Sequence, residues 1–74
     1  MIPKEVIEFS VIGADVEEHN VDYETAKDFF NSLSTSKRKK VQFFKKTWVF
    51  DSKNKEYEEG EVVLISSYKR EKID

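Results

Sequence analysis

The chain has 74 residues, no cysteine, one histidine and a formal net charge of −2. This length fits one domain and leaves no room for an enclosed pocket around a large cofactor, and the lack of cysteine excludes a disulfide scaffold, a zinc–thiolate site and a cysteine nucleophile. No apolar run approaches the ~18 residues of a transmembrane helix, and the N-terminus does not resemble a signal peptide, so we expect a cytoplasmic protein without a cofactor or a membrane partner.

Charged residues make up 38% of the chain and aromatic residues 14%. Disordered chains lack aromatic and β-branched residues, so this composition predicts a folded domain whose small core is filled by rings. The charge is divided unevenly. Residues 1–34 contain eight acids and two bases, which gives −6, whereas residues 35–74 contain seven acids and eleven bases, which gives +4. We therefore expect two surfaces of opposite sign.

The first half of the chain predicts one strand and one helix. Apolar residues alternate over residues 5–12, which predicts a strand, and residues 13–15 end it or insert a bulge. The consecutive polar side chains of residues 17–20 predict an acidic loop over residues 16–21. Residues 22–33 predict a helix with Asp22 as its N-cap, because an aspartate there accepts hydrogen bonds from the first turn. The apolar stripe of this helix comprises Tyr23, Ala26, Phe29, Phe30 and Leu33.

Residues 37–51 allow two interpretations. A helix here would carry four cations at the positive end of its dipole, which is unfavourable. Val, Phe, Thr and Trp also favour strands, so we predict a strand from about residue 40, bulged near residues 45–46. One face of this strand carries Phe44, Lys46, Trp48 and Phe50, and the other carries Val41, Phe43, Lys45, Thr47 and Val49.

The C-terminal third predicts a turn, a strand and a tail. Residues 51–55 predict the turn, and residues 56–59 form either a short strand or the far arm of the loop. Residues 61–68 predict the last strand, and its apolar run from Val62 to Ile65 indicates a central position in the sheet. Residues 69–74 predict a charged, frayed tail.

These elements predict a single α+β domain over residues 1–74, in which one helix packs on one face of a small three- to four-stranded sheet. The predicted order is β-α-β-β, and the last two strands form a C-terminal antiparallel hairpin. If the first two strands are neighbours, the helical crossover between them makes them parallel. The predicted core contains Phe9, Val11, Phe30, Leu33, Leu64 and Ile65.

A basic and aromatic segment is the strongest candidate for function. Four cations precede the aromatic strand, and single-stranded nucleic acid is bound by cations that neutralise phosphates and by rings that stack on bases. The alternative is a solvated basic loop that leads into a strand of core rings, and the net charge of −2 favours this alternative. The candidate nucleic-acid residues are Lys37, Arg38, Lys39 and Lys40.

The acidic segment and the single histidine offer little chemistry. Carboxylates at Glu17, Glu18, Asp22 and Glu24 suit hard cations, but the calcium-loop pattern with its central glycine is missing, so no metal site is predicted. The segment is either a solvated loop or a surface for a basic partner. His19 and several serines provide a base and nucleophiles, but no catalytic motif surrounds them, so no enzyme is predicted.

No stretch of the chain carries a motif typical of a known family. Short, charged α+β chains without cysteine often bind a larger protein, so we expect a small non-enzymatic binding module, for example an inhibitor or an accessory protein of a phage or mobile element. A nucleic-acid-binding module and a structural subunit of a homo-oligomer are the alternatives, the latter because sheet edges are exposed. The candidate partner-binding residues are Lys45, Lys46, Trp48, Phe50, Glu17 and Glu18.

The position of the aromatic strand distinguishes a binding surface from a core. Rings of Phe44, Trp48 and Phe50 that are exposed on the sheet face opposite the helix would indicate a binding surface. The same rings under the helix would indicate that they only fill the core.

Overall fold

A computed structural model describes residues 2–13 and 15–74 and shows a small α+β fold with one four-stranded antiparallel sheet and two short helices. Its elements are β1 (Glu5–Gly13), β2 (Val16–Asn20), α1 (Tyr23–Ser32), α2 (Thr35–Arg38), β3 (Val41–Asp51) and β4 (Glu56–Ser67). The predicted α+β class is confirmed, but the order is β-β-α-α-β-β instead of β-α-β-β. The predicted turn at residues 13–15 includes Ala14, which lies outside the described residues.

The segment predicted as an acidic loop is the edge strand β2. It pairs antiparallel with β1, so that Val16 lies opposite Gly13 and His19 lies opposite Ser10. Its side chains alternate between the two faces of the sheet, and Val16 packs against the core. Because an edge strand buries few of its side chains, its polar sequence resembles that of a loop.

The sheet order is β2-β1-β3-β4, and β1 and β3 are antiparallel neighbours. The prediction that the first strand runs parallel to the strand after the helix is therefore wrong. β2 reverses the chain before α1 begins, so the helical crossover joins β2 to β3. These two strands run parallel to each other on either side of β1.

The core lies between α1 and one face of the sheet, here named the helix-side face. The ring of Phe30 in α1 lies 5.5 Å from that of Phe43 in β3, measured between centroids. Tyr23 lies 5.5 Å from Phe9 and 6.2 Å from Phe43. Large rings thus provide much of the buried apolar area of this small core. Five apolar side chains have no exposed surface: Val11, Ala26, Phe30, Val41 and Phe43.

The N-cap predicted for the first helix is confirmed. The carboxylate of Asp22 accepts hydrogen bonds from the hydroxyl group of Thr25 at 2.8 Å and from its backbone N–H at 3.0 Å. These bonds lower the pKa of the Asp22 carboxyl group, because they stabilise its charged form. The cap fixes the start of α1, and Ala26 and Phe30 then face the core about one and two turns later.

The last strand lies at the edge of the sheet, so its predicted central position is wrong. Within the described residues β4 pairs with β3 alone, and it is one continuous strand across residues 56–67. Val62, Val63 and Leu64 are 50%, 40% and 54% exposed. The prediction that Leu64 lies in the core is therefore also wrong. The remaining predicted core residues are fully or partly buried: Phe9, Val11, Phe30, Leu33 and Ile65.

The irregularities of the β3–β4 hairpin fall on β4. Phe43 pairs with Ser66 and Phe44 with Leu64, so Ile65 is an extra residue on β4. A second shift lies opposite residue 47, around residues 60–61 of β4. The bulge predicted near residues 45–46 is therefore carried by the neighbouring strand.

The C-terminal tail, predicted to fray, contacts both helices. The side chain of Asn31 in α1 accepts a hydrogen bond from the backbone N–H of Ile73 at 2.9 Å and donates one to its carbonyl at 2.7 Å. The guanidinium of Arg38 in α2 donates to the carbonyl oxygen of Arg70 at 2.6 Å. Ile73 also packs against the core.

The molecule is elongated. It measures 44 × 19 × 18 Å and its radius of gyration is 13.8 Å, whereas a compact chain of this length has a radius of roughly 11 Å. Because α1 lies over β1 and β2, the far half of the β3–β4 hairpin projects beyond the helices. No helix within residues 2–13 and 15–74 has the length and apolar character needed to cross a membrane.

Candidate partner-binding face

The sheet face opposite α1, here named the open face, carries the candidate aromatic residues. Strand register places Trp48 beside Val6 and Phe44 beside Ser10, on the face turned away from the core. Each aromatic side chain of β3 on this face is half-buried. The predicted division of β3 into two faces is therefore confirmed, and its open-face members are Phe44, Lys46, Trp48 and Phe50.

Two rings and an ion pair hold Lys46 against the open face. Its Nζ lies 5.0 Å from the centroid of the Trp48 ring, 5.7 Å from that of Phe44, and 2.8 Å from Oε1 of Glu59. A cation over an exposed ring contributes ~0.5–1 kcal/mol, and an exposed ion pair adds up to about 1 kcal/mol. These contacts fix the relative positions of the two rings.

A chain of polar contacts extends from Trp48 across β1 to β2. The indole Nε1 donates to Oε1 of Glu8 at 3.3 Å, and the same oxygen lies 3.6 Å from Nδ1 of His19. Nδ1 is also 2.8 Å from Oγ of Ser10, while Nε2 is 3.1 Å from Oε2 of Glu17. In the tautomer with its proton on Nε2, the ring donates to Glu17 and its Nδ1 accepts from the serine hydroxyl.

Ser10, His19 and Glu17 have the connectivity of an acyl-transfer triad, in which a carboxylate orients a histidine that activates a serine. The serine is not accessible, however. Ser10 is only 1% exposed, and no cavity lies in the part of the chain that the structure describes. A substrate carbonyl has no route to Oγ, so we interpret these hydrogen bonds as holding β2 against β1.

Fixed aromatic rings extend along the open face to the tip of the hairpin. Phe50 and Tyr57 pack edge to face with 5.2 Å between centroids, and the Tyr57 hydroxyl donates to the carbonyl of Pro3 at 2.8 Å. The turn predicted at residues 51–55 is confirmed. In this turn, Asp51 accepts a hydrogen bond from the backbone N–H of Lys53 at 2.9 Å. This bond is the main cause that lowers the pKa of the Asp51 carboxyl group.

The structure distributes the predicted partner-binding residues over both faces of the sheet. Those on the open face are Glu17, Lys46, Trp48 and Phe50. Lys45 and Glu18 pair with Phe9 and Val11 of β1, which places both on the helix-side face. The aromatic rings thus lie opposite the helix, which is the position expected of a binding surface, although they are half-buried instead of fully exposed.

The predicted nucleic-acid residues lie at the other end of β3. Lys37, Lys39 and Lys40 are exposed. Arg38 is only 7% exposed, and its guanidinium donates to two backbone carbonyls and one threonine hydroxyl. Eight residues separate Lys40 from Trp48, which corresponds to about 26 Å of extended strand. The cations therefore do not converge on one site with Trp48 and Phe50, and Phe44 is the ring of β3's open face that lies nearest to them.

Sequence reasoning places Glu8 and Ser10 on the face of β1 away from the core, but it does not single out these two residues or Glu59 as members of the candidate site. Glu8 and Ser10 alternate with the core side chains of β1, so the alternation itself is the available signal. Glu59 reaches Lys46 because the register of β4 shifts nearby, and no sequence pattern predicts this shift. Among residues 2–13 and 15–74, no group of three or more histidine and carboxylate side chains is arranged to hold a metal ion.

Comparisons of the chain with protein-family models, with curated proteins and with solved structures find no match. Its function is therefore inferred from the open face itself.

Proposed function

We propose that the chain is a non-enzymatic binding module that docks a protein partner on its open face. The observation that carries this proposal is the row of rings from Phe44 through Trp48 to Phe50, on a sheet face turned away from the helices. Tryptophan is among the residue types that most often anchor protein interfaces. The inaccessible hydroxyl of Ser10 supports a binding role in place of catalysis.

The contacts of Trp48 and Lys46 favour binding because they exist before a partner arrives. Lys46 lies over two rings, and the Trp48 indole is hydrogen-bonded to Glu8. Side chains that are already ordered lose little conformational entropy on association. The open face therefore needs little rearrangement to bind.

The charge of the open face favours a protein over a nucleic acid. Among the charged side chains that contact one another there, Glu8, Glu17 and Glu59 are acidic and Lys46 is basic. A face with this excess of carboxylates repels phosphate groups and attracts lysine and arginine. The partner that fits has an apolar pocket with basic residues at its rim, as the target of a small inhibitor or accessory protein would have.

The first experiment compares capture by two matched variants. Tagged wild-type chain, Trp48→Ala and Val49→Ala are used to capture proteins from the native host. Val49 is the next residue of β3 but lies on the helix-side face and is 41% exposed. We expect the same partner with the wild type and Val49→Ala, and its loss with Trp48→Ala. Circular dichroism first verifies that both variants are folded.

The second experiment measures binding kinetics with the captured partner. Trp48→Ala should speed dissociation by about 30-fold, which corresponds to ~2 kcal/mol. The variant Glu17→Lys, which reverses a charge on the open face, should mainly slow association, and this effect should shrink as salt is added. A folded Trp48→Ala chain with an unchanged dissociation rate would show that the open face is not the interface.

A nucleic-acid-binding module is the second candidate. The observation that favours it is the exposure of Lys37, Lys39 and Lys40, which form no ion pair with the carboxylates of the described residues. Fluorescence anisotropy with a labelled single strand at about 50 mM salt tests it. Binding should weaken with salt at a slope of roughly −0.7 per neutralised phosphate. An absence of binding at micromolar protein would reject this candidate.

A further inference from the structure

The outer edge of β4 combines an exposed apolar segment with unpaired backbone groups. Val62 and Leu64 are 50% and 54% exposed and lie on the open face, and Val63 is 40% exposed on the helix-side face. β4 has β3 on one side and, within the described residues, no strand on the other. Such an edge is a template for pairing with another strand.

We propose that β4 pairs antiparallel with β4 of a second copy of this chain, in a register centred on Val63. Two four-stranded sheets then form one continuous sheet of eight strands. This inference does not depend on the proposed partner of the open face, because it uses the sheet edge and not the rings. A two-fold axis perpendicular to the sheet relates the two copies, so the contact is self-complementary.

The apolar residues of β4 match each other in this register. Val63 lies opposite Val63 of the second copy, and Val62 lies opposite Leu64 on the open face. Directly opposed side chains in antiparallel strands share a face and pack closely. Pairing therefore brings each of the three exposed apolar side chains of the edge beside an apolar side chain of the second copy. A register centred on Val62 would instead place Glu61 against Val63.

The charges of β4 favour the antiparallel arrangement. The N-terminal half of the strand contains four acids: Glu56, Glu58, Glu59 and Glu61. Antiparallel pairing places these acids on the side of the uncharged residues 65–67 of the other copy, whereas parallel pairing would place them against one another. Like charges directly opposite each other are destabilising.

The irregularities of β4 limit how much of the edge is paired. The regular stretch between them consists of Val62, Val63 and Leu64. A short ladder of this kind gives a weak dimer, with a Kd between micromolar and millimolar. Because the two-fold axis is perpendicular to the sheet, both open faces lie on the same side of the dimer. The dimer thus presents two open faces, each with its Trp48, on one side.

Single cysteines test the register directly, since the chain has none of its own. Val63→Cys should form a disulfide-linked dimer under mild oxidation, because the Cα atoms of directly opposed residues lie within the range that a disulfide spans. Val62→Cys and Leu64→Cys should each link several-fold less to themselves, but an equal mixture of the two should link. Val49→Cys is the matched control, since its native side chain is 41% exposed and lies away from the edge.

Sedimentation equilibrium measures the association of the unmodified chain. The dimer fraction of the wild type and of Val49→Lys should rise with concentration, while Val63→Lys, verified as folded by circular dichroism, should remain monomeric. A wild type that stays monomeric up to millimolar concentration overturns the proposal. Disulfide linking that is strongest for Val62→Cys or Leu64→Cys alone would overturn the register. Linking of Val49→Cys that equals that of Val63→Cys would overturn the interface.

Discussion

The two ends of this molecule are built in different ways. At the covered end α1 lies over the sheet, and five apolar side chains are fully buried. In the hairpin arm, defined as residues 47–62, no side chain is buried, and Val49 is 41% exposed. The covered end therefore provides most of the hydrophobic stabilisation, and the arm provides surface. A chain this small can separate the two tasks by extending its sheet past its helix layer.

The interactions at the two ends differ in strength. Full burial of a phenylalanine side chain contributes about 1.5–3 kcal/mol, whereas a cross-strand pair such as Phe50 and Tyr57 contributes roughly 0.2–1 kcal/mol. The arm is held by its backbone ladder and by several such pairs. Substitutions at the two ends should therefore have unequal effects on the free energy of unfolding.

The largest difference should come from truncating one apolar side chain at each end. Phe30→Ala removes a fully buried ring from the covered end and should cost about 3–5 kcal/mol. Val49→Ala in the arm should cost less than about 1 kcal/mol, because its side chain is already 41% exposed. Urea unfolding followed by circular dichroism measures both values. If the two variants lost similar unfolding free energy, the arm would contribute as much hydrophobic stabilisation as the covered end, which would contradict the proposed difference between the two ends.

A buried cation at the covered end should show the next largest effect. The Arg38 guanidinium donates to the carbonyls of Leu33 and Arg70 and to the hydroxyl of Thr35. Lysine cannot reproduce this planar set of donors, so Arg38→Lys should cost roughly 1.5–3 kcal/mol. Limited proteolysis should also cut the C-terminal tail sooner in this variant. The exposed neighbour provides the control, and Lys39→Arg should leave both measurements unchanged.

The two glycines of the chain provide a matched pair across the two ends. Gly13 has a φ of +133°, and a Cβ there would collide with the carbonyl oxygen of Lys40. Gly13→Ala should therefore cost about 1–3 kcal/mol. A Cβ at Gly60 in the arm would lie 3.0 Å from the Thr47 oxygen and 3.1 Å from Val49 Cγ2, which a small shift relieves. Thermal unfolding should show a clearly larger loss for Gly13→Ala, and a larger loss for Gly60→Ala would contradict this.

Local signals predict α1 and β3 from the sequence. The helix has an N-cap at Asp22 and an apolar stripe with a period of 3.6 residues. Both signals involve residues that are close together in the sequence, so they can be recognised without knowing the fold. The alternation in β3 determines which side chains share a face. It places Trp48 on one face of the strand and the core side chains Val41 and Phe43 on the other. These two elements supply both the core and the aromatic part of the candidate site.

The errors in the prediction concern contacts that are distant along the chain. β2 has one apolar side chain, Val16, and four polar ones, so its pairing with β1 leaves no clear pattern in the sequence. The apolar run in β4 is typical of a central strand, but the order of strands in the sheet leaves it at an edge. Likewise, the contact of His19 with Ser10 depends on the register of the β1–β2 hairpin. Local propensity does not specify such long-range pairings.

The smallest expected difference is in acid sensitivity. Asp22 caps α1 at the covered end, and Asp51 accepts hydrogen bonds in the turn at the tip of the arm. The pKa of each carboxyl group is lowered below the usual value of 3.8. Each carboxylate therefore stabilises the fold above the unfolded-state pKa, and this contribution is lost as the pH falls through the lower, folded-state pKa.

The two carboxylates should nevertheless differ in how far their titration affects global unfolding. The Asp22 cap is lost when α1 unfolds with its core residues Ala26 and Phe30, whereas the turn at Asp51 can open without disturbing the core. Asparagine keeps an oxygen acceptor but does not titrate as a carboxylate. The unfolding free energy of Asp22→Asn should therefore depend less on acid pH than that of Asp51→Asn. Urea unfolding at a series of pH values below neutrality measures this. Equal dependence on pH in the two variants would show that the arm unfolds together with the covered end, and the two regions would then form one cooperative unit.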